Sequence, residues 1–267
     1  MIDLDKELQE QEQLEEQKAA PTTEADKLAV EQEHRINRWL AKRAVRLTSS
    51  NNSKLNSKGK GKDVNWGEQA KNVLYELRYG MRTGLVPEQK DFWQIRHGKE
   101  NEPIAVEYLR ANKHLIEELL GSEVVSIEHC SEDYEDIEFL TPFEGFGDSP
   151  DIKIVLADGR IWRGEIKCPV NAAKVEALRE EKQYHDKLEY FDQMIGHLIG
   201  DPEAEGCLFV NYDAFANEVQ LLPLYRKDVQ QRIEAQVERI KQAYHYVSNP
   251  NNKISEINNY NFEACMK

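Results

Sequence analysis

GDSPDIKIVLADGRIWRGEIKCP, residues 147–169, reads as a β-hairpin whose charges need a reason. Apolar and polar residues alternate on both sides of Ala157-Asp158-Gly159, as in a half-buried strand pair. A two-residue Asp158-Gly159 loop would put Asp151 opposite Ile166, with Asp151 and Glu165 on opposite faces of the sheet. A three-residue loop with Gly159 left-handed instead predicts Asp151 opposite Glu165. Directly opposed side chains have Cβ atoms roughly 4.5–5.5 Å apart, so two acids there repel unless a cation lies between them. We therefore expect the three-residue loop and a cation. Carboxylate and carbonyl oxygens favour a hard ion, Mg²⁺ with Mn²⁺ as substitute, over zinc. Lys167 follows Glu165 by two residues and so shares its face. Its ammonium can orient a water or stabilise charge developing on a phosphate.

The surrounding chain of 267 residues suffices for one sizeable core. Its net charge of −14 conceals a strong asymmetry. Residues 1–34 hold eleven acids and three bases, whereas residues 35–62 hold nine Lys and Arg and no acid. The basic segment is therefore the expected meeting place for an anionic partner. Cys130, Cys168, Cys207 and Cys265 lie far apart with no C-x-x-C pair, so neither a disulfide framework nor a zinc or iron–sulfur site is expected. The opening residues lack a signal peptide's basic and apolar regions, and no run reaches the length of a membrane span. A soluble, cytoplasmic protein is expected.

Periodicity predicts a helix from about Glu31 to Arg46, a mobile loop over 48–62, and a helix ending at Gly80. Further helices are expected over Asn101–Leu120, Ala172–Ile199 and Lys227–Val247. Strands are expected at 123–130, in the hairpin, at 206–213 and at 218–224. This order predicts a mixed α/β (α+β) domain, a small mixed central sheet flanked by helices. We assign an acidic tail to 1–30, the domain to 31–248, and a loosely held tail to 249–267.

The segments "GDSPD" and "GEIKCP" resemble the PD-(D/E)XK nuclease signature, and in the forms "SPD" and "EIKCP" the phage lambda exonuclease-like family, the YqaJ-type viral recombinases. Three further motifs stand in the family's order. "HGKENEPIAVEYL" (97–109) is similar to the helix that supplies an upstream acid, Glu102; "YFDQ" (190–193) resembles the Tyr-x-x-Gln pattern, giving Tyr190 and Gln193. "WLAKRAVRLTSS" (39–50) resembles the amino-terminal segment, with Trp39, Arg43 and Ser50 at family spacing and Arg46 within it. "FVNYD" (209–213) matches the strand that follows. Thr48-Ser49-Ser50 replaces the usual Thr-Ala-Ser, and Ile195 stands where some relatives have a second Gln.

The resemblance, over about residues 35–225, implies a restriction-endonuclease-like core and a Mg²⁺-dependent 5′-to-3′ exonuclease. Such an enzyme degrades one strand of linear duplex DNA and leaves 3′ single-stranded ends for phage-type recombination. It implies Asp151, Glu165, the Ile166 carbonyl and Glu102 as metal ligands, with Lys167, Tyr190 and Gln193 completing the catalytic set. Arg43, Ser50 and Ser149, beside Trp39 and Arg46, would receive the 5′-phosphate of a DNA end. It further implies a trimeric ring, a single-strand annealing protein as partner, and a phage or prophage protein in a bacterial cytoplasm. Two other functions fit parts of the sequence. An endonuclease or junction resolvase on the same fold shares the metal residues, and a non-catalytic DNA-binding protein keeps only the fold. A clustered acid pair argues against the latter, because without metal it repels phosphate.

Overall fold

The hairpin folds as its turn chemistry predicts. Strand β4 (Ile152–Leu156) pairs antiparallel with β5 (Ile161–Lys167) in the register Ile152↔Gly164 to Val155↔Ile161. The Leu156 N–H donates to the Arg160 carbonyl, which leaves Ala157-Asp158-Gly159 as the loop, and Gly159 has φ +87°. Only glycine adopts that conformation without a Cβ penalty. Continuing the register by one step sets Asp151 across from Glu165.

The computed structural model describes residues 24–61, 64–86, 93–131, 137–181 and 188–265. The chain divides into two units, Met1–Arg38 and Trp39–Lys267, and the sheet and the candidate site belong to the second. The acidic tail up to residue 23 lies outside the described residues.

In chain order the helices are α1 (Glu24–Ala44), α2 (Asn52–Leu55), α3 (Glu68–Thr83), α4 (Trp93–Ala111), α5 (His114–Leu120), α6 (Ala172–Glu181), α7 (Leu188–Gly200), α8 (Arg226–Ser248) and α9 (Phe262–Cys265). The remaining strands are β1 (Leu47–Thr48), β2 (Val124–His129), β3 (Phe146–Gly147), β6 (Ala204–Asp213) and β7 (Glu218–Tyr225). The main sheet runs β2-β4-β5-β6-β7, with β5 and β6 parallel and the other neighbours antiparallel. A separate parallel pair, β1 with β3, joins Leu47 to Phe146 and Thr48 to Gly147.

The two-residue period of β6 divides the core. Cys207 and Phe209 pack with α3, α7 and α8 on one face, while Leu208, Val210 and Tyr212 pack with α4, α5, β2 and β4 on the other. With both faces covered, β6 reads as a continuous apolar run, as a central strand should. Among the described residues no helix is long and apolar enough to cross a membrane.

Four expectations are corrected. The supposed loop 48–62 contains β1, a 3₁₀ turn at Ser49–Asn51 and α2, with Ser49, Asn52 and Leu55 buried. The Asn52 amide donates to the Asp192 carbonyl of α7, and Gln236 of α8 donates to Asn52, so Asn52 faces partners and not water. Helix α3 runs past Gly80 and stops at Gly84, φ +73°. The stretch expected as one helix over Asn101–Leu120 is two, α4 and α5; the expected helix over Ala172–Ile199 is helical on both sides of residues 182–187, which lie outside the described residues. The expected loose tail is packed: Ile254 and Ile257 are buried in the core, and the Asn258 side chain bonds the backbone of Trp66 through both its donor and its acceptor. Two apolar side chains spaced three apart on a 3₁₀ turn suffice to dock that segment.

Candidate active site

Odd-numbered residues of β5 point toward α7, which places Arg163, Glu165 and Lys167 in a row beneath that helix. Glu165 is buried, 1% exposed. Its Oε1 accepts from the Lys167 ammonium, and its Oε2 lies 2.6 Å from His197 Nε2 on α7. Lys167 also stands over the Tyr190 ring, 5.7 Å from its centroid, and Tyr190 in turn stacks on Phe209 of β6 at 5.3 Å. Asp151 is fixed by its own hairpin, its Oδ2 accepting from the Ile166 N–H at 2.6 Å. Glu102 approaches from α4, its Oε1 3.0 Å from His129 Nε2.

These charges feel one another. Asp151 is pushed well above the ordinary carboxylate range, first by desolvation and then by the charges of Glu165 and Glu102, against Lys167 and the Ile166 N–H. Burial also pushes Glu165 up, but Lys167 and then His197 outweigh it and hold the carboxyl down at about 2. Lys167 is desolvated yet raised, because Glu165 and Asp151 keep its proton on. For His197, burial is overcome by Asp148 and Glu165, which lift the imidazole to about 10. At neutral pH the centre thus contains an ammonium and an imidazolium set among acids. Cys168 beside it is no nucleophile, since burial and then the charges of Glu102 and Asp151 push its thiol up to about 12.

Over this centre opens a cleft of about 930 Å³. Ser50, Glu102, Ile166, Lys167, Tyr190 and Gln193 all line it, residues drawn from four separate parts of the sequence. Lys54 and Lys99 line it too, as do Gln69, Asn72 and Glu76 of α3, none of which the sequence singled out. Asp151 and Glu165 lie beneath this lining.

At the cleft edge Ser50 connects to the guanidinium of Arg43. Arg43 donates from Nη2 to Ser50 Oγ at 3.0 Å and to Thr48 Oγ1 at 3.4 Å, and its guanidinium lies 4.5 Å from the Trp39 ring centroid. Among the described residues no carboxylate lies within 4.0 Å of it. Burial pulls its proton affinity below the usual arginine range, partly countered by the charge of Asp148. Gly196 lets α7 approach this corner, because a Cβ there would sit 2.6 Å from Ser49 Cα.

The expected residues are therefore brought together with two differences in detail. The Ser149 hydroxyl accepts from the Trp39 indole at 3.2 Å and donates to the Glu138 carbonyl at 3.0 Å, so it braces Trp39. Arg46 donates to the Lys42 carbonyl and does not line the cleft. Ile195 is buried core.

Sequence reasoning missed Asp148 and His197. Both are fully buried, and Asp148 Oδ1 and Oδ2 each lie 3.0 Å from His197 Nδ1. Asp148 stood in the quoted motif, but its partner is 49 residues away in a helix read only for Tyr190 and Gln193.

The architecture defines a class: a mixed α/β, restriction-endonuclease-like fold with its candidate site at the exit of the β4–β5 hairpin. Among solved structures it is similar to an alkaline exonuclease, LHK-Exo, from Laribacter hongkongensis. That likeness has 22% identity over 79% of this chain and 95% of the other, with a TM-score of 0.52. LHK-Exo in complex with dAMP matches with a TM-score of 0.50. A phage-related exonuclease from Haemophilus somnus 129PT matches at 15% identity over 78% of this chain and 96% of that one, with a TM-score of 0.51. These likenesses establish the fold and are consistent with the lambda exonuclease-like motifs read above. No protein-family model and no curated protein matches the sequence.

Proposed function

We propose that this chain is a divalent-metal-dependent exonuclease that degrades one strand of linear duplex DNA in the 5′-to-3′ direction. The observation that carries this reading is one cleft lined both by Lys167, which pairs with Glu165, and by Ser50, which accepts from Arg43, a cation with no carboxylate within 4.0 Å among the described residues.

The donor set fits a hard cation. Its members are oxygens, and Asp151, pushed up first by burial and then by the charges of Glu165 and Glu102, stands where a divalent ion would relieve the gathered negative charge. As they stand, the carboxylates are occupied by Lys167, His197, His129 and the Ile166 N–H, and among the described residues no three His, Cys, Asp or Glu side chains are gathered as a ligand group. Asp151, Glu165, the Ile166 carbonyl and Glu102 would hold the ion. When bound, Mg²⁺ or Mn²⁺ supplies Lewis acidity toward the phosphodiester and lowers the cost of deprotonating water.

The chain's own groups do the rest. Lys167, cationic and steered by Glu165 and the Tyr190 face, positions the attacking water or meets charge developing on the phosphate. Gln193 offers an amide at the cleft wall. Arg43 forks to a terminal phosphate while Ser50 and Thr48 hold the guanidinium in place. Lys54 and Lys99 add the positive lining that an acidic centre needs to retain DNA. A duplex end with a 5′-phosphate is thus the substrate, and by the motif resemblance the product serves recombination beside an annealing protein.

The test sets linear duplex DNA beside covalently closed duplex, with and without Mg²⁺, for the wild type and Lys167→Ala. Linear DNA should be degraded only with metal and closed duplex should survive. Lys167→Ala should slow degradation about 100-fold or more, the scale of losing one preorganised charge-stabilising donor. Cutting of closed duplex, or digestion indifferent to metal, overturns the proposal.

A further inference from the structure

We infer that Asp148 and His197 form a positioning pair that commits one oxygen of Glu165 to the imidazole and presents the other toward Lys167 and the cleft. The inference rests on the nuclease reading above and adds to it two residues that do not line the cleft and to which the motifs assign no role.

Three ionisable side chains, Asp148, His197 and Glu165, lie in line at 0–1% exposure. His197 Nδ1 is 3.0 Å from both Asp148 oxygens, and Nε2 is 2.6 Å from Glu165 Oε2. An apolar trio of the same volume would cost less to bury. The local chain is nevertheless shaped to admit it. A Cβ on Gly200, one turn beyond His197, would lie 2.5 Å from the Asp148 Cβ and carboxylate. Asp148 itself is pinned by reciprocal backbone hydrogen bonds with Leu140, each 2.8 Å. Glu165 is then gripped at both oxygens, His197 on one side and Lys167 on the other. A carboxylate with free torsions samples several orientations; one tied to a buried imidazole offers a single oxygen in one direction. Groups of this kind behind a ligand typically alter metal affinity or activity about 10–100-fold when removed.

The experiment compares His197→Asn, whose amide reaches Asp148 but falls short of Glu165, with His197→Gln, whose amide reaches Glu165. The double variant Asp148→Ala/His197→Met removes both polar partners together, which spares the fold an unpaired buried charge. Thermal melts establish folding. Mn²⁺ binding is then measured without DNA by calorimetry and electron paramagnetic resonance, and kcat and KM on linear duplex are measured separately.

Binding of Mn²⁺ should weaken about 10–100-fold in His197→Asn and in the double variant. In both, kcat should fall while KM for DNA stays, and His197→Gln should recover most of the loss. If a folded variant lacking the donor to Glu165 keeps wild-type Mn²⁺ affinity and kcat, the pair is only core and the inference falls while the nuclease reading stands. If the wild type itself neither binds Mn²⁺ nor degrades DNA, both fall together.

Discussion

Replacing Arg43 by alanine should abolish the enzyme's ability to distinguish a 5′-phosphate from a 5′-hydroxyl. Arg43 is a partly buried cation whose contacts are two hydroxyls and an indole face, with no acid within 4.0 Å among the described residues. A terminal phosphate would supply the missing anion. A hydrogen bond to a charged group is worth about 1.5–3 kcal/mol, more than a neutral one. At 1.4 kcal/mol per factor of ten, losing one such net contact corresponds to about 10–100-fold in kcat/KM. Removing the guanidinium also forfeits its cation–π contact with Trp39, about 0.5–1 kcal/mol, but that loss applies whichever end is bound and cancels in the comparison. The assay measures kcat/KM on two linear duplexes identical except for the 5′ group, with wild type and Arg43→Ala. The phosphorylated duplex should lose about 10–100-fold and the hydroxyl duplex far less, so that the preference disappears. Arg43→Lys should recover part of it, since an ammonium keeps the charge but not the fork. Equal losses on both ends would show that Arg43 merely supports Trp39 and its surroundings, and the phosphate pocket would be refuted.

Two further outcomes concern stability. Arg163 is 4% exposed and ties Glu138, at 2.8 and 3.2 Å, to Asp201 at 2.7 Å. Arg163→Met should cost about 3 kcal/mol, the low end of the range for breaking a buried pair because Glu138 can regain water, and should lower Tm by roughly 6–12 °C; an unchanged melting curve would show that the pairs hold nothing. The second concerns pH in metal-free protein kept in chelator. His197 is raised from 6.5 to about 10 in the folded state, so its contribution is complete below about pH 6.5 and is lost progressively as pH rises toward 10. Denaturant titrations from pH 6 to 10 should therefore show wild-type stability falling with a slope that His197→Met reduces, and parallel slopes would contradict the raised imidazole.

Some of this molecule is readable residue by residue. The Ala157-Asp158-Gly159 loop is local chemistry: only one loop length lets Gly159 take φ +87° and puts Asp151 on the side of Glu165. The two-residue period likewise placed Glu165 and Lys167 on one face, and the motif order assembled Ser50, Glu102, Tyr190 and Gln193 around one cleft. Reading failed where a residue's partner lies far along the chain. Asn-rich and Ser-rich stretches looked mobile, yet Asn52 answers Asp192 and Gln236, and Asn258 answers Trp66.

What the sequence by itself determined was the hairpin, its loop, the alternation of its faces and the kinds of atom it offers, because these depend on neighbours within a few bonds or one strand period. Only the tertiary structure decided which charge meets which. Composition cannot distinguish a solvated aspartate from Asp148, buried against His197, nor a surface arginine from Arg43, which has no carboxylate within 4.0 Å among the described residues. The cost or value of a charge is set by the water removed and the partner supplied when distant segments close over it.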